Sequence, residues 1–104
     1  MAQTEDRAGA VDWQMRPRLA AGVELSEVTD GFVVYQPDRD RVHYLNRTAA
    51  LILTLCDGAT PAAALPSFLA RTFHLLEPPR DEVAECLANL LAEGLIEGVA
   101  GDPP

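Results

Sequence analysis

Histidine and cysteine are the side chains of this sequence most able to do chemistry. The two histidines are far apart, and His74 directly follows Phe73 at a predicted helix end, where the helix dipole favours it. His43 lies within a predicted strand. Cys56 and Cys86 fall on the apolar sides of two predicted helices, which favours roles as small buried hydrophobic residues. Because no His or Cys spacing is typical of a metal site, we expect neither a metal nor another cofactor.

Carboxylates are placed where solvent or turn formation explains them. Asp38 and Asp40 belong to a predicted turn, which accounts for both residues. The solvated face of a predicted helix carries three more, Glu82, Glu85 and Glu93. The sequence also lacks the short motifs of serine hydrolases, zinc proteases and nucleotide-binding enzymes. We therefore predict that the chain is not an enzyme by itself.

The composition indicates one small globular domain with an acidic surface. A chain of 104 residues, 48% of them apolar, can bury a modest core. Eight arginines, no lysine and sixteen acidic residues give a net charge of −8, which argues against nucleic acid as a partner. There is no apolar run of membrane-spanning length and no secretory signal, so we predict a cytoplasmic protein without a membrane partner.

Residues 41–58 predict a strand, a helix cap, a buried helix and a glycine stop, and the rest of the chain is organised around them. Strand formers occupy residues 41–45, and Asn46 follows in the position of a helix N-cap. The helix predicted over residues 47–56 is apolar on most sides, so it must be buried on most sides. Gly58 then ends it, because glycine adopts a left-handed conformation at little steric cost.

Upstream, the sequence predicts a flexible tail over residues 1–16 and a small antiparallel sheet. Trp13 is either a hook that folds onto the domain, which we favour, or an exposed contact residue. Residues 19–28 supply a first strand, and residues 32–36 form a clearer one that pairs with residues 41–45. The strand at 41–45 is then an edge strand. Its polar side chains could prevent pairing with another chain, or a partner strand could pair with it.

Downstream, the sequence predicts two more helices. Thr60 and Pro61 begin the second, which either bends at Pro66 or becomes regular only near Leu65. Asp81 caps the third, whose apolar residues recur at helical spacing.

The third helix ends at Gly94, and a short extended piece follows at residues 95–96. We therefore predict a domain over residues 17–97 and a disordered tail over residues 98–104. The predicted class is α+β, with a small antiparallel sheet of about three strands packed on three helices in a winged-helix-turn-helix-like arrangement.

Residues 44–53 (YLNRTAALIL), followed by LCDG at residues 55–58, resemble the signature of the PqqD-like family. This family includes the peptide chaperones of pyrroloquinoline quinone biosynthesis and the recognition domains for precursors of ribosomally synthesised, modified peptides (RiPPs). The likeness extends over about residues 17–96. A longer turn at residues 37–41 and an extra acidic tail indicate a member from another peptide-modification system rather than from the quinone pathway.

The resemblance implies a winged-helix-like domain that binds a peptide instead of DNA. In this family the leader segment of a precursor adds as an antiparallel strand to the sheet edge and packs against the third helix. Among the helix residues, Val83, Cys86 and Leu90 could equally have packing roles alone, whereas Asn89 is polar within an apolar row. Carried over by position, the peptide-binding residues are Arg41, Val42, His43, Tyr44, Glu82, Val83, Cys86, Asn89 and Leu90.

We therefore predict a non-catalytic module of natural-product biosynthesis that captures a leader peptide and presents the precursor to a modifying enzyme. In this family that enzyme is often a radical SAM protein, and tethering makes its encounter with the peptide intramolecular. Two alternatives stay open: a winged-helix transcription factor, which would need a basic third helix, and an accessory subunit of an enzyme complex. The sheet edge allows either a monomer or a strand-swapped dimer.

Overall fold

The computed structural model describes residues 11–99, in which five strands and three helices form an α+β fold. This result confirms the predicted class and the number of helices, whereas the winged-helix likeness stays a prediction. None of the helices within this range combines the length and apolar character that a membrane crossing requires. The elements are β1 Arg16–Leu19, β2 Glu24–Val28, β3 Gly31–Gln36, β4 Arg41–Asn46, α1 Arg47–Thr54, α2 Leu65–Phe73, α3 Arg80–Ala92 and β5 Ile96–Val99.

The strands form two separate antiparallel sheets instead of one. A three-stranded sheet has the order β2-β3-β4, with Gly31 opposite Asn46 at one end of the β3–β4 hairpin. β1 and β5 form a two-stranded ribbon in which Leu19 is opposite Ile96. The single strand predicted within residues 19–28 is therefore wrong, since β1 ends at Leu19 and β2 begins after Gly22. A φ of +81° at Gly22 interrupts the extended backbone between them.

The start and the end of α1 follow local capping chemistry. The Asn46 side chain accepts a hydrogen bond from the backbone N–H of Ala49 at 2.9 Å, which confirms the predicted N-cap. The helix ends two residues before the predicted position 56, and Gly58 takes a φ of +79° as expected. The Asp57 carboxylate accepts hydrogen bonds from the backbone of residues 59 and 60, which hold its pKa below the usual value.

The predicted caps of the other two helices are wrong. Thr60 donates its hydroxyl to Asp57, and α2 begins only at Leu65, after a 3₁₀ turn at Ala62–Ala64. Pro66 therefore lies in the first turn of α2, where no helical hydrogen bond is lost. At α3 the N-cap is Pro79, which has no side-chain hydrogen bond to offer, and Asp81 lies inside the first turn.

A single hydrophobic core lies between the three-stranded sheet and the helices. α1 is central to it, since it contacts β3, β4 and α3. Its Ile52 is fully buried, as its apolar pattern predicts. The fully buried core side chains include residues of β3 and of all three helices: Val34, Ile52, Leu65, Leu69, Val83 and Leu87.

The folded part of the chain is longer at both ends than predicted. Val11 and Met15, within the predicted flexible tail, are 7% exposed and belong to the core. Trp13 packs against the same core, and the Arg80 guanidinium lies 4.5 Å from its ring centroid, which confirms the hook. At the other end β5 continues to Val99. The remainder of the two predicted tails, residues 1–10 and 100–104, lies outside the described residues, and the domain division stays a prediction.

Replacing Asn46 with alanine tests the cap of the central helix. Since the substitution leaves the Ala49 N–H without its acceptor, we expect the free energy of unfolding to fall by about 1 kcal/mol. Urea denaturation measures this change, with an unaltered dependence on denaturant concentration. Asn46→Asp is the matched control, because it keeps an acceptor and should unfold close to the wild type. Equal losses in both variants would show that capping is not the cause.

Candidate functional site

The three-stranded sheet has two outer strands, β2 and β4, and the outer edge of β4 lies beside a groove that α3 lines. Among the described residues, β4 pairs with β3 alone, so its other edge has unpaired backbone groups, as predicted. The β4 side chains alternate between the two faces of the sheet. Leu45 is buried on the helix side, whereas Val42 and Tyr44 are 66% and 60% exposed on the outer face. An added strand would therefore present its side chains to two different surfaces.

On the helix side, a groove of about 410 Å³ lies between the end of β4, the first turn of α1, and α3. This volume suits a few side chains of a peptide rather than a deeply enclosed small molecule. Its apolar floor includes Leu90, which is buried, and Cys86, which is half-buried. Its full lining is Leu45, Asn46, Thr48, Ala49, Glu82, Glu85, Cys86, Asn89 and Leu90.

The structure brings most of the predicted site residues together. Glu82, Cys86, Asn89 and Leu90 line the groove, and the strand residues 41–44 form the adjacent edge. Val83 is the exception, because it has no exposed surface and packs in the core instead.

Sequence reasoning missed Glu85 and the first turn of α1 as parts of this groove. Glu85 lies three residues after Glu82 and four before Asn89, which places all three on one helix face. That spacing was a usable signal. Nothing in the sequence indicates that Thr48 lies near α3, because their proximity depends on how α1 and α3 pack.

A network of polar groups fixes the distance between the hairpin and the end of α3. The Gln36 amide, 5% exposed, donates from Nε2 to the Glu93 carbonyl at 2.9 Å. Its Oε1 must then accept, so His43 donates from Nε2 across the 2.6 Å contact. Arg39 also donates to the Glu93 carbonyl, at 3.1 Å, and Arg41 lies 3.3 Å from the Glu93 carboxylate. The hairpin that carries β4 is thereby tied to the end of α3.

The two cysteines behave as hydrophobic residues. Burial raises the pKa of the Cys86 thiol to about 11. Burial, with smaller contributions from the charges of Cys86 and Asp57, raises the pKa of Cys56 to about 12. Cys56 also donates its S–H to the Ile52 carbonyl at 3.1 Å. Both thiols are protonated at neutral pH, so neither is an activated nucleophile.

The charged side chains show no catalytic arrangement in the part of the chain that the structure describes. No group of three or more His, Cys, Asp or Glu side chains there could hold a metal ion. The carboxylates nearest the groove, Glu82 and Glu85, are exposed, and neither forms an ion pair within residues 11–99. What the site offers is an unpaired strand edge beside a partly apolar groove, which is suited to binding.

Comparison with known protein families agrees with this description. The model of a family described as "Coenzyme PQQ synthesis protein D (PqqD)" matches residues 31–96. The matched segment contains β3, β4 and all three helices, and therefore every residue of the predicted site. It ends where the predicted likeness ends but begins at residue 31 instead of 17. No curated protein and no solved structure matches the chain.

The raised thiol pKa values predict how stability changes in alkaline solution. Above the ordinary thiol value of 9.0 the unfolded chain loses its thiol protons while the folded chain keeps them. The stability that the buried thiols contribute is therefore fully present below the ordinary thiol pKa. It is lost as the pH rises toward the pKa values of the folded state.

Unfolding free energies of the wild type and the Cys56→Ala/Cys86→Ala variant, measured between about pH 8 and about pH 11, test this expectation. The wild type should lose more stability over this interval than the variant, in which both thiols are absent. Parallel curves for the two proteins would contradict the assignment.

Proposed function

The chain belongs to the PqqD family, and on that premise we propose that it is a non-catalytic module that binds the leader segment of a precursor peptide. Members of this family are peptide-binding partners in the biosynthesis of pyrroloquinoline quinone and other RiPPs. The observation that supports the proposal most directly is the free edge of β4 beside the groove that α3 lines. An extended peptide needs both an edge for its backbone and a groove for its side chains.

In the proposed mode the leader adds antiparallel to β4. Its backbone pairs with the unpaired groups of residues 41–46. Since side chains alternate along a strand, every second leader residue faces the groove between β4 and α3. The remaining residues lie beside Val42 and Tyr44 on the outer face, where β-branched or aromatic neighbours form favourable cross-strand pairs.

The predicted residues at the strand edge and on the groove side of α3 have different roles in this mode. The backbone of Arg41, Val42, His43 and Tyr44 supplies the edge that accepts the new strand. Cys86 and Leu90 provide apolar contact, and the exposed side chain of Asn89 reaches the groove from α3. His43 is already engaged with Gln36, so its contribution is to hold the edge in place rather than to contact the leader with its ring.

The bound leader would be presented to a modifying enzyme, and a radical SAM protein is the class that the family favours. Holding the precursor and the enzyme together raises their effective concentration without any chemistry in this domain. A second copy of the chain could pair along the same edge, in which case self-association and leader binding would compete for β4.

A DNA-binding role fits the surface poorly. The exposed residues of α3 include Asp81, Glu82 and Glu85, which would repel phosphates. Arg80, at the start of that helix, lies over the Trp13 ring.

Titration with synthetic leader peptides tests the proposal, and candidates are the peptides encoded by short reading frames beside this gene. We expect saturable binding in which the backbone amide shifts of residues 41–46 and of α3 change most. Saturable binding whose shifts leave β4 unchanged would exclude strand addition at β4. Absence of binding by every neighbouring peptide would favour the accessory-subunit alternative.

Filling the groove should weaken the same interaction. Asn89→Trp introduces a large side chain from an exposed position, so we expect the leader affinity to fall by about tenfold or more while the thermal unfolding stays close to wild type. Ser67→Trp is the matched control, because Ser67 is exposed on α2 and does not line the groove. Equal loss of affinity in both variants, or in neither, would place the peptide elsewhere.

A further inference from the structure

The groove beside β4 has uncompensated charge at one end only. Glu82 and Glu85 line the end close to the first turn of α1, and neither has an ion-pair partner within residues 11–99. Beyond the lining residues in the opposite direction, at the start of β4 and the end of α3, Arg41 lies 3.3 Å from Glu93, so those two charges compensate each other. Toward a peptide, the groove is therefore negative at one end and close to neutral at the other.

The helix dipole explains why a negative charge is favourable at only one of these two glutamates. Glu82 lies in the first turn of α3, where a negative charge is favoured by the helix itself. Glu85 lies beyond that turn, where the dipole effect has fallen off. A cationic group on the ligand is a partner that both carboxylates could share.

The chain direction fixes which half of the ligand meets these carboxylates. The beginning of α3 lies near the end of β4, and the end of α3 lies near Arg41, so helix and strand run in opposite directions. A ligand strand antiparallel to β4 therefore runs the same way as α3. Its N-terminal half passes Glu82 and Glu85, and its C-terminal half approaches Arg41 and Glu93.

An apolar subsite follows the acidic one at a distance that suits a strand. The midpoint between Cys86 and Leu90 lies about four to five residues after the midpoint between the two glutamates. At the rise of an α-helix this is roughly 7 Å along α3. Two residues of an extended chain cover about the same distance. Consecutive inward-facing residues of the ligand would thus meet first the carboxylates and then the apolar floor.

We propose that the ligand of this groove is a strand-forming peptide with Lys or Arg in its N-terminal half and an apolar residue two positions later. The cation faces Glu82 and Glu85, and the apolar side chain packs against Cys86 and Leu90. This inference rests on the proposed function, since it specifies the class of leader that the edge of β4 accepts. The net charge of −8 also favours the approach of a cationic peptide.

Selection from a display library of random peptides about ten residues long tests this pattern on the full chain. We expect the enriched peptides to carry Lys or Arg two positions before an apolar residue. In Glu82→Lys/Glu85→Lys that preference should turn to Asp or Glu, and a selected cationic peptide should bind about two- to fivefold more weakly for each lost ion pair. Glu82→Gln/Glu85→Gln, with neutral isosteres, should lose the preference without inverting it.

The matched control is Glu24→Lys/Glu27→Lys. Both residues are exposed on β2, away from the groove, and this variant changes the net charge by the same amount. It should keep the wild-type preference, because the proposed selection is local to the groove.

The outcomes separate this inference from the function on which it rests. Selected peptides that shift the amides of β4 but show no basic preference would overturn the charge pattern and leave strand addition intact. The charge pattern is also overturned if the β2 control changes the preference as much as the groove variant does. If no peptide is enriched, or if enriched peptides leave the β4 amides unchanged, both the inference and the proposed binding mode fail.

Discussion

The side-chain amide of Gln36 is the link on which the geometry of the groove depends. A buried amide is costly unless its donor and acceptor are both satisfied, and here they are satisfied by two different elements. Nε2 donates to the Glu93 carbonyl after α3, and Oε1 accepts from His43 on β4. The hairpin and the end of α3 are therefore held together, and β4 and α3, which both line the groove, are joined within this domain before any peptide arrives.

Features that depend on residues close together in the sequence could be predicted. Asn46, the apolar helix after it and Gly58 form one continuous pattern, and the structure shows the expected cap and stop. The same is true of the β3–β4 hairpin, whose two strands are separated by a short turn. Pairing of β1 with β5 could not be predicted in this way, because it joins segments at opposite ends of the chain and neither segment has a strong strand pattern.

The candidate site shows the same division between local and tertiary information. Helical spacing identifies the faces of α3, but the rotation of the helix against α1 decides which face is core and which is groove. That rotation buries Val83 completely, which leaves it the packing role alone of the two that the resemblance allowed. It also leaves Glu85, assigned from the sequence only to the solvated face of the helix, at the groove. The N-cap of α2 was mispredicted for a related reason. Thr60 could either donate to Asp57 or cap a helix, and the turn after α1 determines which of the two it does.

The ribbon of β1 and β5 brings the two ends of the described chain together, since Arg16 is opposite Val99. Segments near the two ends of the described chain thus lie side by side, with β4 and α3 built from the residues between. A unit with adjacent ends can be joined to another protein at either end, or inserted into one of its surface loops, without stretching its own structure. The architecture of this small domain is therefore compatible with use as a portable part of a larger polypeptide.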